Sequence, residues 1–568
     1  MKQLISIALC SCFSFATQAQ WTSNAAANTV VQDAAGTTEV TPLAAPGPAG
    51  GTWISWFEAG AGSSYQMRVQ LLDRNGNKTL GPTGLLVSNQ PQSSALFRYD
   101  LQSDAAGNAL LAFQDTRSAG TIQCVIYKIS PSGTQLWGAN GIQLLGPAGS
   151  TGLAPTIAVL NSGNVVVAWN ADTSGPNAIA LQKFSPAGTA LWSTPLLLQE
   201  TSANLERAVP LATGADDFLL HYVRRSGFGL GVSTMFAQRF NANGTAVWTA
   251  PQRVSDKTIG FAFFPQPIPD GAGGYFVAFN SGNPASASLG DVYVQRVLAD
   301  GSLWSTSGTE VLTGTTTARF DGKLQYVPAQ NELYVALNVT NSSQSSSGIA
   351  FQRLAPATGA VLTPPAQAST GVEVFPVNAG YYSAQALRDT GNGLIIVYTE
   401  NTTGQNRLLA ATRLSYAGAT GTFPTGTGNA LLSTAVSEKL NYSALPYSNN
   451  QLVVVWADRR VDDGIYAQSI DDAGRLGVLG TRAGQSGQAL TLAPNPGAAP
   501  VVQLRSQRAQ AATLLVRDAT GREVHRQQLQ LPAGLTGIPL QLPQLAPGLY
   551  LVETSVDGEA WRGRWVKE

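Results

Sequence analysis

Histidine and cysteine are almost missing: 568 residues hold two of the first and three of the second. His221 and His525 are far apart in the chain, so a Ser-His-Asp or Cys-His nucleophile site and a His-rich metal site are not expected. His221 lies inside the apolar run Phe218–Tyr222 and reads as a core residue with one hydrogen bond. Cys10 and Cys12 fall in an apolar N-terminal stretch, which leaves Cys124 alone once that stretch is removed. A single cysteine makes no intramolecular disulfide, so the core itself must hold the fold. Cys124, within Ile122–Ile129, reads as a small buried residue. Charge is scarce too. Charged residues make up 12 % of the chain, about half the usual ~25 %. The 34 basic and 34 acidic side chains cancel, leaving no global field to attract nucleic acid or an anionic membrane. No segment reaches ~20 consecutive apolar residues, so no transmembrane helix is expected. The acidic doublets Asp216-Asp217, Asp462-Asp463 and Asp471-Asp472 lack the spaced oxygen ligands of a calcium loop and read as solvated turns. No metal or cofactor is expected.

What the chain does have is turns: 59 Gly and 31 Pro, with 44 % hydrophobic residues between them. The organising unit is clearest from Pro155 to Leu198. Its runs Thr156–Leu160, Val165–Trp169, Ile179–Phe184 and Leu191–Leu198 are separated by segments rich in Gly, Pro and Asn. Four short strands, repeated every ~40–60 residues, are the signature of a β-propeller blade. Second strands recur at Thr52–Phe57, Ala109–Phe113, Val165–Trp169, Phe218–Tyr222, Tyr275–Phe279, Leu333–Leu337, Leu394–Tyr398 and Leu452–Trp456. They are apolar at successive positions, so both faces are expected to be buried between neighbouring blades. Third strands carry a recurring Gln (Gln70, Gln182, Gln238, Gln295, Gln352 and Gln468), read as satisfying backbone groups between adjacent blades in preference to a ring of ligand-binding amides. Fourth strands follow a Gly turn and open with Trp, as at Trp137, Trp192, Trp248 and Trp304.

The two ends of the chain carry their own signals. Met1-Lys2-Gln3, the apolar stretch Leu4–Phe15 and Ala16-Thr17-Gln18-Ala19 match a signal peptide cut after Ala19; lipidation at Cys10 or Cys12 is the weaker alternative. Trp21–Val31 resembles a fourth strand without a module, and the last module has only a feeble one at Arg475–Leu479. The N-terminal strand is therefore expected to complete the last blade and close the ring, which removes an exposed edge. The expected architecture is all-β: an eight-bladed β-propeller over residues 20–480, a linker at 481–488, and a small immunoglobulin-like β-sandwich over 489–568.

In this last segment the chain resembles a family. The motif residues are Pro494, Asn495 and Pro496, then Asp518 and Gly521 within Val516–Val524, Gly548 and Tyr550 within Leu545–Val552, and Lys567 near the end. In that order, opposite a signal peptide, they resemble the type A C-terminal sorting domain of the type IX secretion system. The resemblance implies export, recognition by the outer-membrane translocon and its sorting peptidase, and a secreted or outer-surface destination. The propeller itself resembles no identified functional family. It lacks the sialidase Ser-x-Asp-x-Gly-x-Thr-Trp box, and its turn-plus-Trp pattern is only loosely similar to quinoprotein-type propellers.

Loops joining second to third strands vary in length while the other turns are short and regular, which marks one end as the binding face. Asp115, Arg117, Arg224, Arg225, Phe228, Arg459, Arg460 and Asp462 are placed there. Charged groups beside an aromatic suit a carbohydrate or protein ligand, so the first expectation is a non-enzymatic binding module. The alternatives are a polysaccharide-active hydrolase or lyase using channel-mouth carboxylates, and a purely structural surface protein.

Overall fold

A computed structural model describes residues 21–568 except 61–63, 93–97, 119–120, 173–174, 228–230, 261–263, 284–285, 314–316, 364–366, 368, 427, 478–487, 507–508, 519–521, 543 and 557–558. The signal segment and most of the expected linker lie outside the described residues. The chain divides into two compact units, Met1–Val478 and Leu479–Glu568.

The first unit is built from consecutive antiparallel sheets of propeller type. Among the described residues it holds eight, seven of them four-stranded and one five-stranded. In one of them the strands Thr151–Val159, Val165–Asp172, Ala178–Phe184 and Leu196–Leu198 pair in chain order. The continuous apolar run Val165–Trp169 is buried throughout, and its alternate residues serve different neighbours. Val165, Val167 and Trp169 pack with Leu110 and Ala112 of the preceding sheet. Val166 and Ala168 pack with Phe218, Leu220 and Tyr222 of the following one. Side chains of a strand point alternately to its two faces, so only a strand covered on both sides can be apolar at every position.

Polar groups repeat with the sheets. Lys128 Nζ and Trp137 Nε1 both donate to the Pro186 carbonyl of the next sheet, at 2.9 and 3.2 Å. Lys183 and Trp192 do the same to Ala242 (3.0 and 3.4 Å), and Arg296 and Trp304 to Pro356 (3.0 and 2.9 Å). Each Trp ring lies against a turn glycine of the next sheet. A Cβ on Gly188 (φ +88°) would sit 2.8 Å from Trp137, so close approach and left-handed backbone together demand glycine there. The third-strand glutamines bind backbone mainly within their own sheet: Gln182, Gln238 and Gln295 donate to the carbonyls of Trp192, Trp248 and Ser305. Gln295 and Gln352 also reach the preceding sheet, at Val254 and Val311.

The N-terminal strand is Thr29–Gln32, shorter than the expected Trp21–Val31, and it pairs antiparallel with Asp463–Ile470 as the fourth strand of the last sheet. Trp21 completes the pattern. Its Nε1 donates to Arg74 O (3.0 Å) and its ring covers Gly76, in the first sheet, as Trp137 covers Gly188.

Among its described residues the second unit has two sheets, one of five strands and one of three, around a shared core that includes Leu492, Val502, Leu514, Val516, Val552 and Trp565. The short strands Gln488–Ala489 and Thr491–Ala493 were not legible in the sequence. The strand Gly534–Pro539 completes the smaller sheet by pairing with Val501–Ser506. Asn495 fastens the terminal strand: its Nδ2 donates to Arg564 O (2.6 Å) and its Oδ1 accepts from Val566 N (2.9 Å). Tyr550 OH donates to Ala546 O at 2.7 Å, and Gly548 pairs with Lys567. Asp518 accepts from Arg522 N, Pro494 and Pro496 follow cis bonds, and Gly521 lies outside the described residues.

Candidate functional site

The charged residues expected on a ligand face are engaged as internal braces. Asp115 is buried and takes the Arg117 guanidinium (2.6 Å), which also donates to Tyr127 OH (3.0 Å). Arg224 pairs with Glu200 (2.8 Å) and Arg225 with Glu206 (3.2 Å). Arg459 bridges Glu438 and Asp463, and Asp462 accepts from Gly36 N. Arg460 pairs with Asp458, lies 3.8 Å from the Tyr466 ring centroid, and donates to the Ala26 and Ala27 carbonyls. Arg460 therefore fastens the N-terminal segment. These residues belong to three sheets, and Phe228 lies outside the described residues.

A different set converges from four sheets: Arg207, Asp321 and Lys323 lie in first strands, and Arg98 and Phe264 in the segments that lead into them. Most first strands carry a register shift, and a residue with left-handed backbone stands at the break: Thr41, Ala154, Arg207, Asp321 and Asn441. Such a bulge re-aims the side chains around it. A second-strand amide of the preceding sheet holds several of these breaks. Asn280 donates to Arg319 O (3.1 Å) and accepts from Asp321 N (3.3 Å), while Asn170 accepts from Arg207 N (3.2 Å) and Gln114 from Ala154 N (3.1 Å).

The bulge at Asp321 opens a cavity of about 240 Å³ lined by Arg98, Phe264, Gln266, Ala278, Asp321, Gly322 and Lys323. Gly322 is required there, since a Cβ would meet Val292 at 2.9 Å. Asp321 is half exposed and pairs with Lys323 Nζ at 2.7 Å. The Phe264 ring, 37 % exposed, has the Arg98 guanidinium 4.2 Å and the Arg207 guanidinium 4.5 Å from its centroid. Restricted hydration pushes the pKa of both arginines down from its ordinary value; Asp100 counteracts this at Arg98 and Glu206 at Arg207. Asp100 is itself pushed up by burial, and its Oδ2 accepts from Ile157 N at 2.7 Å. An aromatic face, a carboxylate and several cations at one concave surface can stack on a sugar ring, transfer a proton and hold an anion.

Sequence reasoning missed Arg98, Arg207, Phe264, Asp321 and Lys323. The available signal was the broken two-residue alternation of the first strands, as at Leu153-Ala154-Pro155 and Phe320-Asp321-Gly322.

His221, Cys124 and Glu39 are buried away from solvent. His221 Nδ1 lies 2.8 Å from Tyr275 OH, and burial pushes this histidine down to about 3, so it stays neutral. Burial raises the Cys124 thiol well above its usual range. No cluster of three or more His, Cys, Asp or Glu suited to a metal occurs among the described residues. Glu39 and Glu58 face each other on paired strands, and Glu39 is fully buried. Burial, opposed by a hydrogen bond from Thr37 and reinforced by Glu58, raises Glu39 to about 7.

The Glu39 shift has a definite sign. Glu39 holds its proton more tightly in the folded chain than in the unfolded one, so its contribution to stability is complete below about pH 4.5 and is lost as pH rises toward about 7. The expected loss is on the order of 1–3 kcal/mol. Glu39→Gln should flatten the decline of the thermal midpoint between pH 4.5 and 7, leaving the variant more stable than the parent at pH 8; parallel pH profiles would contradict this.

No protein-family model matches the chain, and no curated protein matches it. Solved structures similar to it include an ulvan lyase bound to a GlcA(1-4)Rha3S oligosaccharide, 12 % identical with TM-score 0.43 and covering 78 % of this chain and 96 % of that one. The polysaccharide lyase Uly1 is 10 % identical, with TM-score 0.38 and coverage of 74 % and 88 %. An alpha-L-arabinanase from Penicillium chrysogenum complexed with arabinobiose is 11 % identical, with TM-score 0.30 and coverage of 56 % and 93 %. This set corrects the expectation of a non-enzymatic binding module, since its named members are carbohydrate-active enzymes.

Proposed function

We propose that the first unit is a closed, eight-bladed propeller that cleaves a polysaccharide at the mouth of its channel, as a hydrolase or a lyase. The observation that carries this reading is the 240 Å³ cavity lined by Arg98, Phe264 and the Asp321–Lys323 pair. Asp321 is the proton-transferring group, Lys323 positions it, and Phe264 stacks on a sugar ring. Closure is supported by Trp21, which repeats on the first sheet the contact that Trp137 makes on its neighbour. The test is incubation of the purified full chain with neutral and acidic polysaccharides, scored for new reducing or unsaturated ends. Cleavage that Asp321→Asn abolishes supports the reading, and no cleavage of any polymer counts against it.

The second unit is proposed to be an immunoglobulin-like sorting domain of the type IX secretion system, engaging its translocon and sorting peptidase and delivering the first unit to the medium or the outer cell surface. Its support is that Asn495, Gly548 and Tyr550 of the motif all meet the terminal strand, Asn495 by hydrogen bonds and Gly548 and Tyr550 by pairing with Lys567 and Trp565. Removing residues 489–568 should strand the protein in the periplasm; surface delivery of the truncated chain would refute the assignment.

A further inference from the structure

Positive charge gathers at one point of a chain whose net charge is zero. Arg98 makes no hydrogen bond or ion pair among the described residues, although it lines the cavity and is poorly hydrated. Arg207 lies 3.6 Å from Glu206, but that carboxylate also takes Arg225 at 3.2 Å. Lys323 is matched by Asp321. Asp100 also acts on Arg98, so four cations (Arg98, Arg207, Arg225 and Lys323) face three carboxylates (Asp100, Glu206 and Asp321), and the surplus centres on the two guanidinium groups sharing the Phe264 ring.

Two like charges held against one ring repel each other, and poor hydration makes the repulsion stronger than in open water. The fold nonetheless fixes both positions. Arg207 stands at a bulge with φ +57°, its backbone N–H fixed by Asn170. The aromatic face offsets part of the repulsion and orients both planes. A planar or tetrahedral anion entering the cavity would add a counter-charge beside the two guanidinium groups and accept charge-assisted hydrogen bonds from them.

We propose that Arg98 and Arg207, oriented by Phe264, form an anion subsite that selects a polysaccharide bearing carboxylate or sulfate groups. This rests on the reading of the cavity as the place where polysaccharide binds, and it adds the charge of the substrate. The subsite requires no movement of the braced residues at Asp115, Arg224 or Arg459.

The test is affinity electrophoresis of the full chain against dextran, dextran sulfate and polygalacturonate, with the Arg98→Gln/Arg207→Asn double variant and an Arg526→Gln control. Asn tolerates the left-handed backbone at 207, and Arg526 is an exposed residue of the second unit. A thermal melt of each variant confirms folding. The expected result is retardation by one or both acidic polymers but not by dextran, weakened about tenfold or more in the double variant, in line with the loss of charge-assisted contacts. Retardation by polygalacturonate alone would identify a carboxylate, and by dextran sulfate alone a sulfate. Retardation by dextran equal to that by the acidic polymers, retardation unchanged in a folded double variant, or none by any polymer would overturn the subsite. Acid-selective binding without cleavage would keep the subsite and remove the enzymatic reading, whereas cleavage of dextran by the double variant at the parent rate would do the reverse.

Discussion

Deleting residues 21–32 should lower the thermal midpoint of the first unit by about 10 °C or more, or prevent its folding. The segment buries Trp21 and Val31 and supplies the fourth strand of the last sheet. Losing the indole contacts alone costs about 3–5 kcal/mol and the Val31 side chain about 1.5–3 more. The damage extends to what remains. Arg460 loses the Ala26 and Ala27 carbonyls and the Asn28 side chain, and Asn28 no longer donates to Leu432 O. The strand Asp463–Ile470 becomes an open edge, which invites aggregation. At ~2–4 °C per kcal/mol for a large domain, a loss of this size reaches the stated shift. Val30→Ala is the control, because Val30 is exposed and should change the midpoint little. A deletion variant that melts with the parent would show that closure by the N-terminal strand is not what holds this unit together.

The second large effect is on rate. Asp321→Asn should reduce polysaccharide cleavage about 10²–10⁴-fold, the range associated with losing a positioned proton-transfer group. Its side chain is half exposed and its one ion pair is with the partly exposed Lys323, so stability should change by less than about 1 kcal/mol. The backbone is unaffected in kind, since Asn adopts the left-handed conformation at φ +60° as readily as Asp. A folded Asp321→Asn variant with parental kcat would show that proton transfer belongs to another residue.

The repeat was legible because burial on both faces leaves an uninterrupted apolar run, as at Val165–Trp169, and because a Trp packs closely on a turn glycine of the next sheet at Trp137–Gly188, Trp192–Gly244, Trp248–Gly301 and Trp304–Gly359. The pairing of the N-terminal strand with the last sheet was legible for the same reason: Trp21 is a fourth-strand Trp without a module. The candidate site was not. Arg207, Asp321 and Lys323 lie at first-strand bulges that break the two-residue alternation. Arg98 and Phe264 precede their strands, where no periodic pattern marks a side chain's direction. Loop length pointed instead to Arg224, Arg225 and Arg460. A charged side chain near a strand end finds a carboxylate or a carbonyl when the chain folds, and pairing of that kind leaves no mark in the sequence. The recurring glutamines were read correctly as structural, but the Gln182, Gln238 and Gln295 contacts show that the partner is chiefly the fourth strand of the same sheet.

The most direct test of the account is a cleavage assay of the full chain on polygalacturonate and dextran sulfate, with dextran as the neutral comparison and product ends identified by mass spectrometry. The account predicts shortened acidic chains, a rate that collapses in Asp321→Asn, and a KM that rises in Arg98→Gln with little change in kcat. Intact polymers in every reaction, or cleavage that both variants retain at the parental rate, would contradict it.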